Sequence, residues 1–212
     1  MGKQNSKKRL SAIKRKTNEV DIRGKLNLDG KGKAKIITGF EPLNHLLTLF
    51  TFHGFFDLQI EAAGDLPHHV IEDIGIALGK AFKEALGQKD GINRYGCFTV
   101  VMDKVAVEAA LDISGRPSLH GICIPNSLNN LQNRLDKETF DNTDFTFKHA
   151  LEFLESFLQH AGFNLVYTIK SGEGDLHHIL EALFKALGKA LDQATQIDLR
   201  RKGIPSTKGI ID

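Results

Sequence analysis

An internal duplication constrains the fold of this chain more than any other feature of its sequence. The run His68-His69-Val70-Ile71-Glu72 returns as His177-His178-Ile179-Leu180-Glu181, so the second copy begins 109 positions after the first. The residues that follow each copy share Ala-Leu-Gly-Lys-Ala in the same register, at 77–81 and 186–190. Similarity over this distance predicts two related halves of about a hundred residues each that pack as one body.

Both copies have the apolar spacing of an amphipathic helix. Ile71, Ile74 and Leu78 recur at intervals of three and four residues, and the second copy repeats this spacing from Leu180 onward. Each His-His-x-x-Glu run therefore falls in a first helical turn, where residues four apart share one face. His and Glu at a helix start can be capping or solvated surface groups, but their duplication in register favours ligands for Mn, Fe or Zn over Mg or Ca.

The rest of the chain predicts alternating strands and helices in each half. The segment from Val20 to Leu28 alternates apolar and polar residues, and Asp29-Gly30 predicts a hairpin into a strand at 34–38. The stretch 125–144 is rich in Asn and Asp and predicts an extended loop. We therefore expect an α+β fold of two similar halves, each a small mixed sheet with helices packed on one face, forming one two-layer body.

Positive charge is concentrated at the start of the chain. The net charge is only +2, but the first sixteen residues include Lys3, Lys7, Lys8, Arg9, Lys14, Arg15 and Lys16. We expect a basic flexible tail at 1–14 and half-domains at 15–95 and 96–212, with nucleic-acid contact through the tail as a minor alternative. No apolar run is long enough for a membrane span, and no secretion signal or cysteine framework is present. The sequence therefore predicts a cytoplasmic protein.

Four polar residues outside the repeats are candidates for binding an anion: Arg94, Arg116, Ser206 and Lys208. Arginine beside glycine in a loop suits bidentate recognition of phosphate or carboxylate, and a Ser-Thr-Lys-Gly turn offers hydroxyl, amide and ammonium donors. Each could instead be a solvated surface group. Two divalent ions combined with several anion donors would suit a phosphorylated substrate whose reacting part binds metal.

Further short motifs occur in a fixed order along the chain. They include Arg15-Lys-Thr-Asn-Glu19, Asn27-Leu-Asp-Gly30, Leu111-Asp-Ile-Ser-Gly-Arg-Pro117 and Pro205-Ser-Thr-Lys-Gly209, with the two His-His-x-x-Glu runs between them. In this order and spacing they resemble the imidazoleglycerol-phosphate dehydratase family of histidine biosynthesis, over nearly the whole chain. The resemblance implies a two-half α+β fold, self-association into trimers and a large octahedral shell of subunits.

The resemblance also implies a hydro-lyase that converts imidazole glycerol phosphate into imidazole acetol phosphate. Two Mn²⁺ ions per subunit would lie between neighbouring subunits, bound by His45, His68, His69, Glu72, His177, His178 and Glu181. The phosphate of the substrate would bind Arg94, Arg116, Ser206 and Lys208. His53 and Glu19 would line the reacting end, and Glu19 would do the general acid/base work because it matches the family motif Arg-x-Thr-x-Glu.

The sequence departs from the family pattern close to these residues. Counting five positions back from Gly172, Tyr167 stands where the family has a histidine, and a neutral phenol is a poorer ligand for a divalent ion than imidazole. Other family residues are replaced by Asn44, Pro67, Lys104 and Asp175. Two hypotheses therefore stay open, an active Mn²⁺-dependent dehydratase and a catalytically impaired homologue that retains assembly, metal binding or phosphate-ligand binding.

Overall fold

A computed structural model describes residues 8–123 and 128–211 of the chain. The first half of these residues forms β1 (Leu10–Lys16), β2 (Val20–Asn27), β3 (Ala34–Ile37), α1 (Glu41–Gly54), β4 (Asp57–Gly64) and α2 (Pro67–Leu86). The second half forms β5 (Tyr95–Met102), β6 (Val105–Asp112), β7 (Ser118–Cys123), α3 (Leu128–Leu135), a 3₁₀ turn at Phe140–Asn142, α4 (Phe147–Ala161), β8 (Asn164–Gly172) and α5 (Leu176–Thr195).

The two halves build their sheets in the same way. The strand order is β1-β2-β4-β3 in the first sheet and β5-β6-β8-β7 in the second. In each sheet one edge strand, β3 or β7, runs parallel to its neighbour, and the other pairs are antiparallel. The predicted fold class, α+β with two similar halves and mixed sheets, is confirmed.

The helices of the two halves pack against each other, α2 against α4 and α1 against α5. Glycines allow this close approach, because a methyl group at Gly79 would lie 2.4 Å from the carbonyl oxygen of Phe157. The matching glycine of the second repeat, Gly188, would meet the carbonyl oxygen of Phe50 at 2.6 Å. The shared Ala-Leu-Gly-Lys-Ala sequence is therefore explained by the same helix contact in both halves. No helix among the described residues is long and apolar enough to cross a membrane.

Both His-His pairs lie in the first turn of a long helix, as predicted. The helix α2 begins with Pro67 at its first position, where a missing N–H costs no hydrogen bond. The helix α5 is capped by Asp175, whose carboxylate accepts a hydrogen bond from the backbone N–H of His178 at 2.9 Å. Pro67 and Asp175 thus fix where α2 and α5 begin, and each His-His pair lies directly after that point.

Two predictions for the first sheet are wrong. The segment after Asp29-Gly30 does not return as a hairpin partner of β2, because β3 pairs in parallel with β4 while β1 and β4 occupy the two sides of β2. The basic tail cannot extend to residue 14, because residues 10–14 belong to β1. In β1 the buried residues Ser11 and Ile13 alternate with exposed ones, and the surrounding basic residues hid this alternation. Residues 1–7 lie outside the described residues.

The second half contains three elements that the sequence did not predict, β7, α3 and the 3₁₀ turn. The strand β7 is short and mostly exposed, so it lacks an apolar pattern. The predicted loop at 125–144 includes α3 and the 3₁₀ turn, and its residues 124–127 lie outside the described ones. Leu131 and Leu135 of α3, four positions apart, are both buried. The Asn and Asp residues around them masked this helical spacing.

Candidate metal centre

Two imidazoles and one carboxylate converge where the beginnings of α1 and α5 meet. The Nε2 atom of His45 lies 2.5 Å from Oε1 of Glu181, and Nε2 of His177 lies 2.9 Å from the same oxygen. One potential ligand atom from each of the three residues lies within 4.8 Å of the others. His177 and Glu181 are four apart on α5, as predicted from the repeat, whereas His45 reaches them from the other half of the molecule.

Glu181 is the buried centre of this cluster. Burial alone would raise the pKa of its carboxyl group, but hydrogen bonds with Lys185, His45 and His177 outweigh it and lower the pKa to about 2. Lys185 Nζ lies 2.5 Å from Oε2, so both carboxylate oxygens are engaged. The carboxylate is therefore charged at neutral pH and can serve as a metal ligand.

His177 is held from its other side by Asp141. Both carboxylate oxygens of Asp141 lie 2.8 Å from Nδ1 of His177. Burial would lower the pKa of His177, but the hydrogen bonds with Asp141 and Glu181 raise it overall. The Nδ1 atom of His177 thus forms hydrogen bonds with the carboxylate of Asp141, while its Nε2 atom faces His45 and Glu181.

One other histidine in each pair, His178 or His69, contacts carboxylates of its own. His178 lies between Asp175 at 2.6 Å from Nδ1 and Asp103 at 3.2 Å from Nε2. In the first pair, Nδ1 of His69 lies 2.8 Å from Asp65, and this hydrogen bond raises the pKa of His69. Each of these aspartates precedes its histidine by about one helical turn, except Asp103, which follows β5.

The first pair does not join the cluster formed by the second. His68 and Glu72 are exposed, and Glu19 Oε2 lies 3.9 Å from Nδ1 of His69. Among the described residues, a group of three potential ligands is found at His45, His177 and Glu181. One chain therefore presents two separate groups of candidate ligands, one at the start of α2 and one at the start of α5.

Three of the four predicted anion donors, Arg94, Ser206 and Lys208, are connected to the other end of α5. The backbone N–H of Arg94 donates to the carbonyl oxygen of Ala194, and its guanidinium binds both oxygens of Asp112 at 2.7 and 3.1 Å. The same guanidinium donates to the carbonyl oxygen of Pro205 at 3.1 Å, which holds the segment carrying Ser206 and Lys208. From residue 181 to residue 194, thirteen helical steps of 1.5 Å amount to about 20 Å.

Three other predicted residues have distinct surroundings. His53 lies in the last turn of α1, where burial and the nearby charges of Lys185 and Lys189 lower its pKa. Arg116 is exposed in the loop after β6. Asn44, which replaces a family residue next to His45, accepts hydrogen bonds from the backbone N–H and the hydroxyl group of Thr38 through its side-chain oxygen.

Tyr167 points into the protein interior. Its side chain packs against Phe147 and over Gly121, and burial raises its pKa to about 12. The strand β8 bulges at Lys170, because Ser171 and Ile169 pair with consecutive residues of β6. Side chains alternate between the two faces of a strand, and the extra residue at the bulge shifts this alternation by one position. Counting residues back from Gly172 across the bulge therefore leads to the opposite face of the sheet. Which residue of β8 takes the place of the family histidine stays a prediction.

Asp141 and Lys185 were missed by sequence reasoning. Asp141 belongs to no motif and lies 36 positions before His177, in the segment expected to be a loop. Lys185 follows Glu181 by four residues, so the helical spacing that linked His177 to Glu181 could also have identified it. Both contact the cluster directly.

The donor set fits a divalent transition metal. Two imidazole nitrogens and a charged carboxylate match the ligands preferred by Mn, Fe and Zn, and the cluster has an exposed side at His45, whose side chain is 44% accessible. Fold and site together define an α+β protein with a candidate divalent-metal centre at paired helix N-termini.

Comparisons with known proteins identify the family. The family model for imidazoleglycerol-phosphate dehydratase matches residues 38–191. Imidazoleglycerol-phosphate dehydratase from Pelobacter propionicus is 45% identical over 207 residues, which cover 96% of this chain and 99% of that protein. The protein of the same name from a Geobacter species is 48% identical over 204 residues, covering 95% and 98%. The chain belongs to the imidazoleglycerol-phosphate dehydratase family.

Solved structures support the same assignment. The crystal structure of imidazoleglycerol-phosphate dehydratase from Staphylococcus aureus superposes with a TM-score of 0.75 at 33% identity, covering 89% of this chain and 99% of that one. The enzyme from Pyrococcus furiosus, in complex with (S)-C348, gives the same TM-score and identity and covers 93% and 99%.

Proposed function

We propose that this protein is a Mn²⁺-dependent hydro-lyase of histidine biosynthesis that dehydrates imidazole glycerol phosphate to imidazole acetol phosphate in the cytoplasm. The observation that carries this proposal is the convergence of His45, His177 and Glu181, contributed by both halves of the duplicated fold. Membership of the family supports the same reaction.

The metal would be held by imidazoles and carboxylates of both repeats. His45, His177 and Glu181 form one half-site, and His68, His69, Glu72 and His178 would complete two sites per subunit together with a neighbouring subunit. Bound Mn²⁺ would supply Lewis-acid stabilisation of negative charge on the imidazole ring of the substrate. Lys185 keeps the carboxylate of Glu181 charged and oriented when no metal neutralises it.

Proton transfer falls to Glu19 in this proposal. Its carboxylate is exposed just before β2, and Oε2 lies 3.9 Å from Nδ1 of His69. A proton carrier beside the first His pair would reach a substrate ring held by that pair. Glu19 would give a proton to the hydroxyl group that departs as water from the carbon next to the ring, and would remove the proton from the following carbon. The enol formed in this way would become the ketone by moving its hydroxyl proton to the carbon next to the ring.

The substrate phosphate would bind Ser206, Lys208, Arg116 and Arg94, with His53 at the reacting end. Lys208 and Arg116 are exposed, and Arg94 is partly neutralised by Asp112, so Arg94 would also act by holding Pro205 in place. In one subunit Arg94 and the segment with Ser206 and Lys208 lie about 20 Å along α5 from Glu181, too far for one small substrate to span. We therefore infer that metal ligands and phosphate donors from different subunits form each site, within trimers that assemble into an octahedral shell.

A catalytically impaired homologue is the second candidate. The observation that favours it is Tyr167, because its side chain lies in the core and brings no imidazole to the site. Such a protein would bind divalent metal and a phosphorylated ligand without releasing product. Substrate turnover separates the two candidates.

The deciding experiment incubates the Mn²⁺-loaded protein with imidazole glycerol phosphate and follows formation of the ketone product. We expect turnover by the wild type and a loss of at least about 100-fold in kcat for Glu19→Gln, the lower range for removal of a general acid/base. Metal binding and phosphate-ligand binding without product would support the impaired homologue. If the protein forms no product and binds neither the metal nor the phosphorylated ligand, the proposed function and its alternative are both contradicted.

A further inference from the structure

We propose that Asp141 is a positioning residue that fixes the ring orientation and tautomer of His177 for metal binding. The inference rests on the proposed function, since it assigns a role toward the metal that His177 would hold. It extends the site to a segment outside both repeats and outside every motif of the chain.

The two ring nitrogens of His177 contact different partners. Nδ1 faces both carboxylate oxygens of Asp141 at 2.8 Å, and Nε2 faces Oε1 of Glu181 at 2.9 Å. A neutral imidazole has one N–H donor and one lone pair. When Nδ1–H donates to Asp141, the lone pair is left on Nε2, on the side of His45 and Glu181. This is the arrangement by which carboxylates orient metal-binding histidines.

The neighbour of Asp141 restrains the same ring by stacking. The rings of Phe140 and His177 lie 4.4 Å apart between centroids with an interplanar angle of 17°. Phe140 is only 4% exposed, so the interior of the protein holds it in place. The hydrogen bond that Nδ1–H of His177 donates to Asp141 fixes the rotation of the imidazole within the plane against which Phe140 stacks. One short segment thus controls both the position and the orientation of His177.

The backbone of this segment is strained in the conformation that makes these contacts. Asp141 and Asn142 both adopt left-handed conformations, with φ of 48° and 60°. Such conformations are unfavourable for non-glycine residues and are least costly for Asp and Asn. The turn is closed by a hydrogen bond from Phe140 N–H to the Phe145 carbonyl at 2.7 Å and by a bridge between Thr139 and Thr146. This strained turn places the carboxylate of Asp141 beside the ring of His177.

The other aspartates at the histidine pairs are local partners. Asp65 and Asp175 lie four and three residues before His69 and His178, so the first helical turn alone brings them together. Asp141 reaches His177 only through the folded turn between α3 and α4. The contact between Asp141 and His177 therefore depends on the tertiary structure. Loss of the carboxylate should change the candidate metal site without unfolding α5.

The test measures affinity of the metal-free, full-length protein for Co²⁺, by visible absorption, and for Mn²⁺, by competition with a chelator. Asp141→Gly removes the carboxylate and tolerates the left-handed backbone. We expect a 10-fold to 100-fold weaker apparent affinity, the range for lost carboxylate partners of metal-binding histidines. Asp141→Asn keeps an acceptor oxygen and should recover part of the loss. Asn142→Gly and Asp144→Asn are matched controls in the same turn, and both should bind like the wild type.

A double-mutant cycle with His177→Ala decides whether Asp141 acts through this ring. Adding Asp141→Gly to His177→Ala should weaken Co²⁺ binding no further, and far-UV circular dichroism should show each metal-free variant folded. Wild-type affinity in Asp141→Gly, or a full additional loss in the double variant, would overturn the positioning role and leave the proposed function intact. Wild-type affinity in His177→Ala would instead refute the metal site itself.

Discussion

Glu181 and Tyr167 are both largely buried, but their surroundings shift their pKa values in opposite directions. Burial would raise the pKa of Glu181, yet hydrogen bonds with Lys185 and two histidines lower it to about 2. Burial dominates for Tyr167 and raises its pKa to about 12. Glu181 is therefore kept charged, as a ligand must be, and Tyr167 is kept neutral, as a core residue is.

Tyr167 should make the stability of the protein depend on alkaline pH. Because its pKa rises from 10 in the unfolded chain to about 12 in the fold, its contribution is complete below pH 10 and is lost as the pH rises toward 12. Denaturant midpoints measured across this range should fall less for Tyr167→Phe than for the wild type. Tyr95→Phe, at an exposed position, is the matched control, and equal slopes for Tyr167→Phe and the wild type would place the phenol outside the core.

Lys208 should contribute to substrate affinity more than to the chemical step. The residue is exposed in the segment that Arg94 holds through Pro205, and a cation that binds phosphate acts on ground state and transition state alike. We expect Lys208→Ala to raise KM about 10-fold or more with kcat little changed, the loss of one charge-assisted hydrogen bond. Lys202→Ala, also exposed near the C-terminus, is the control. An unchanged KM in Lys208→Ala would show that this segment does not contact the phosphate.

At the scale of the elements, the glycines of the repeat explain why the two halves fit together. Gly75 and Gly79 of α2 face the backbone of α4, and Gly188 of α5 faces α1. The aromatic rings between the helices are in direct contact, with 5.2 Å between the centroids of Phe82 and Phe157. The helix interface is thus tight enough that added volume must move a helix.

Gly79→Ala should destabilise the protein even though alanine favours helix. The added methyl group would lie 2.4 Å from the carbonyl oxygen of Phe157, which a backbone atom cannot relieve without a shift. We expect a net loss of about 1–3 kcal/mol in the free energy of unfolding, measured by denaturant titration. Lys80→Ala, at the next and exposed position of α2, should stay within about 0.5 kcal/mol. Equal stability of both variants would show that α2 and α4 are less tightly packed.

Elements with a strong apolar period could be predicted from the sequence, and those that depend on partners could not. The helices α2 and α5 and their histidines follow from the spacing around Ile71 and Leu180. The parallel placement of β3 beside β4 depends on the crossover through α1, and a local turn signal at Asp29-Gly30 does not record it. For the site, His177 and Glu181 follow from helical geometry, whereas Asp141 reaches His177 through a strained turn that no sequence period encodes.

At the scale of the whole molecule, the candidate metal ligands and the proposed phosphate donors lie at different ends of α5. The cluster of His177 and Glu181 lies at its first turns, and Arg94 with the C-terminal segment lies at its end, about 20 Å away. Under the proposed function, one small substrate would not reach both groups of one subunit. Assembly would therefore be a condition for activity, because it brings the beginning of one α5 close to the end of another.

Mixing two variants impaired in different groups should test this requirement, at a substrate concentration well below the KM of Lys208→Ala. His177→Ala lacks a metal ligand and Lys208→Ala lacks a phosphate donor, so mixed assemblies would contain some sites with both groups intact. After joint dissociation and reassembly, dehydration activity should exceed the average of the two separate variants. Reassembled single variants are the controls. Activity no higher than that average would indicate that each site is built within one subunit.

The metal content of the purified protein is the most direct measurement of the central claim, that imidazole and carboxylate groups of both repeats bind divalent ions. After loading with Mn²⁺ and removal of excess metal, we expect close to two Mn²⁺ per subunit in the wild type. Glu181→Gln should retain clearly less, because its neutral amide is a weaker ligand than the carboxylate. Well under one Mn²⁺ per subunit in the wild type, or equal content in Glu181→Gln, would contradict the claim.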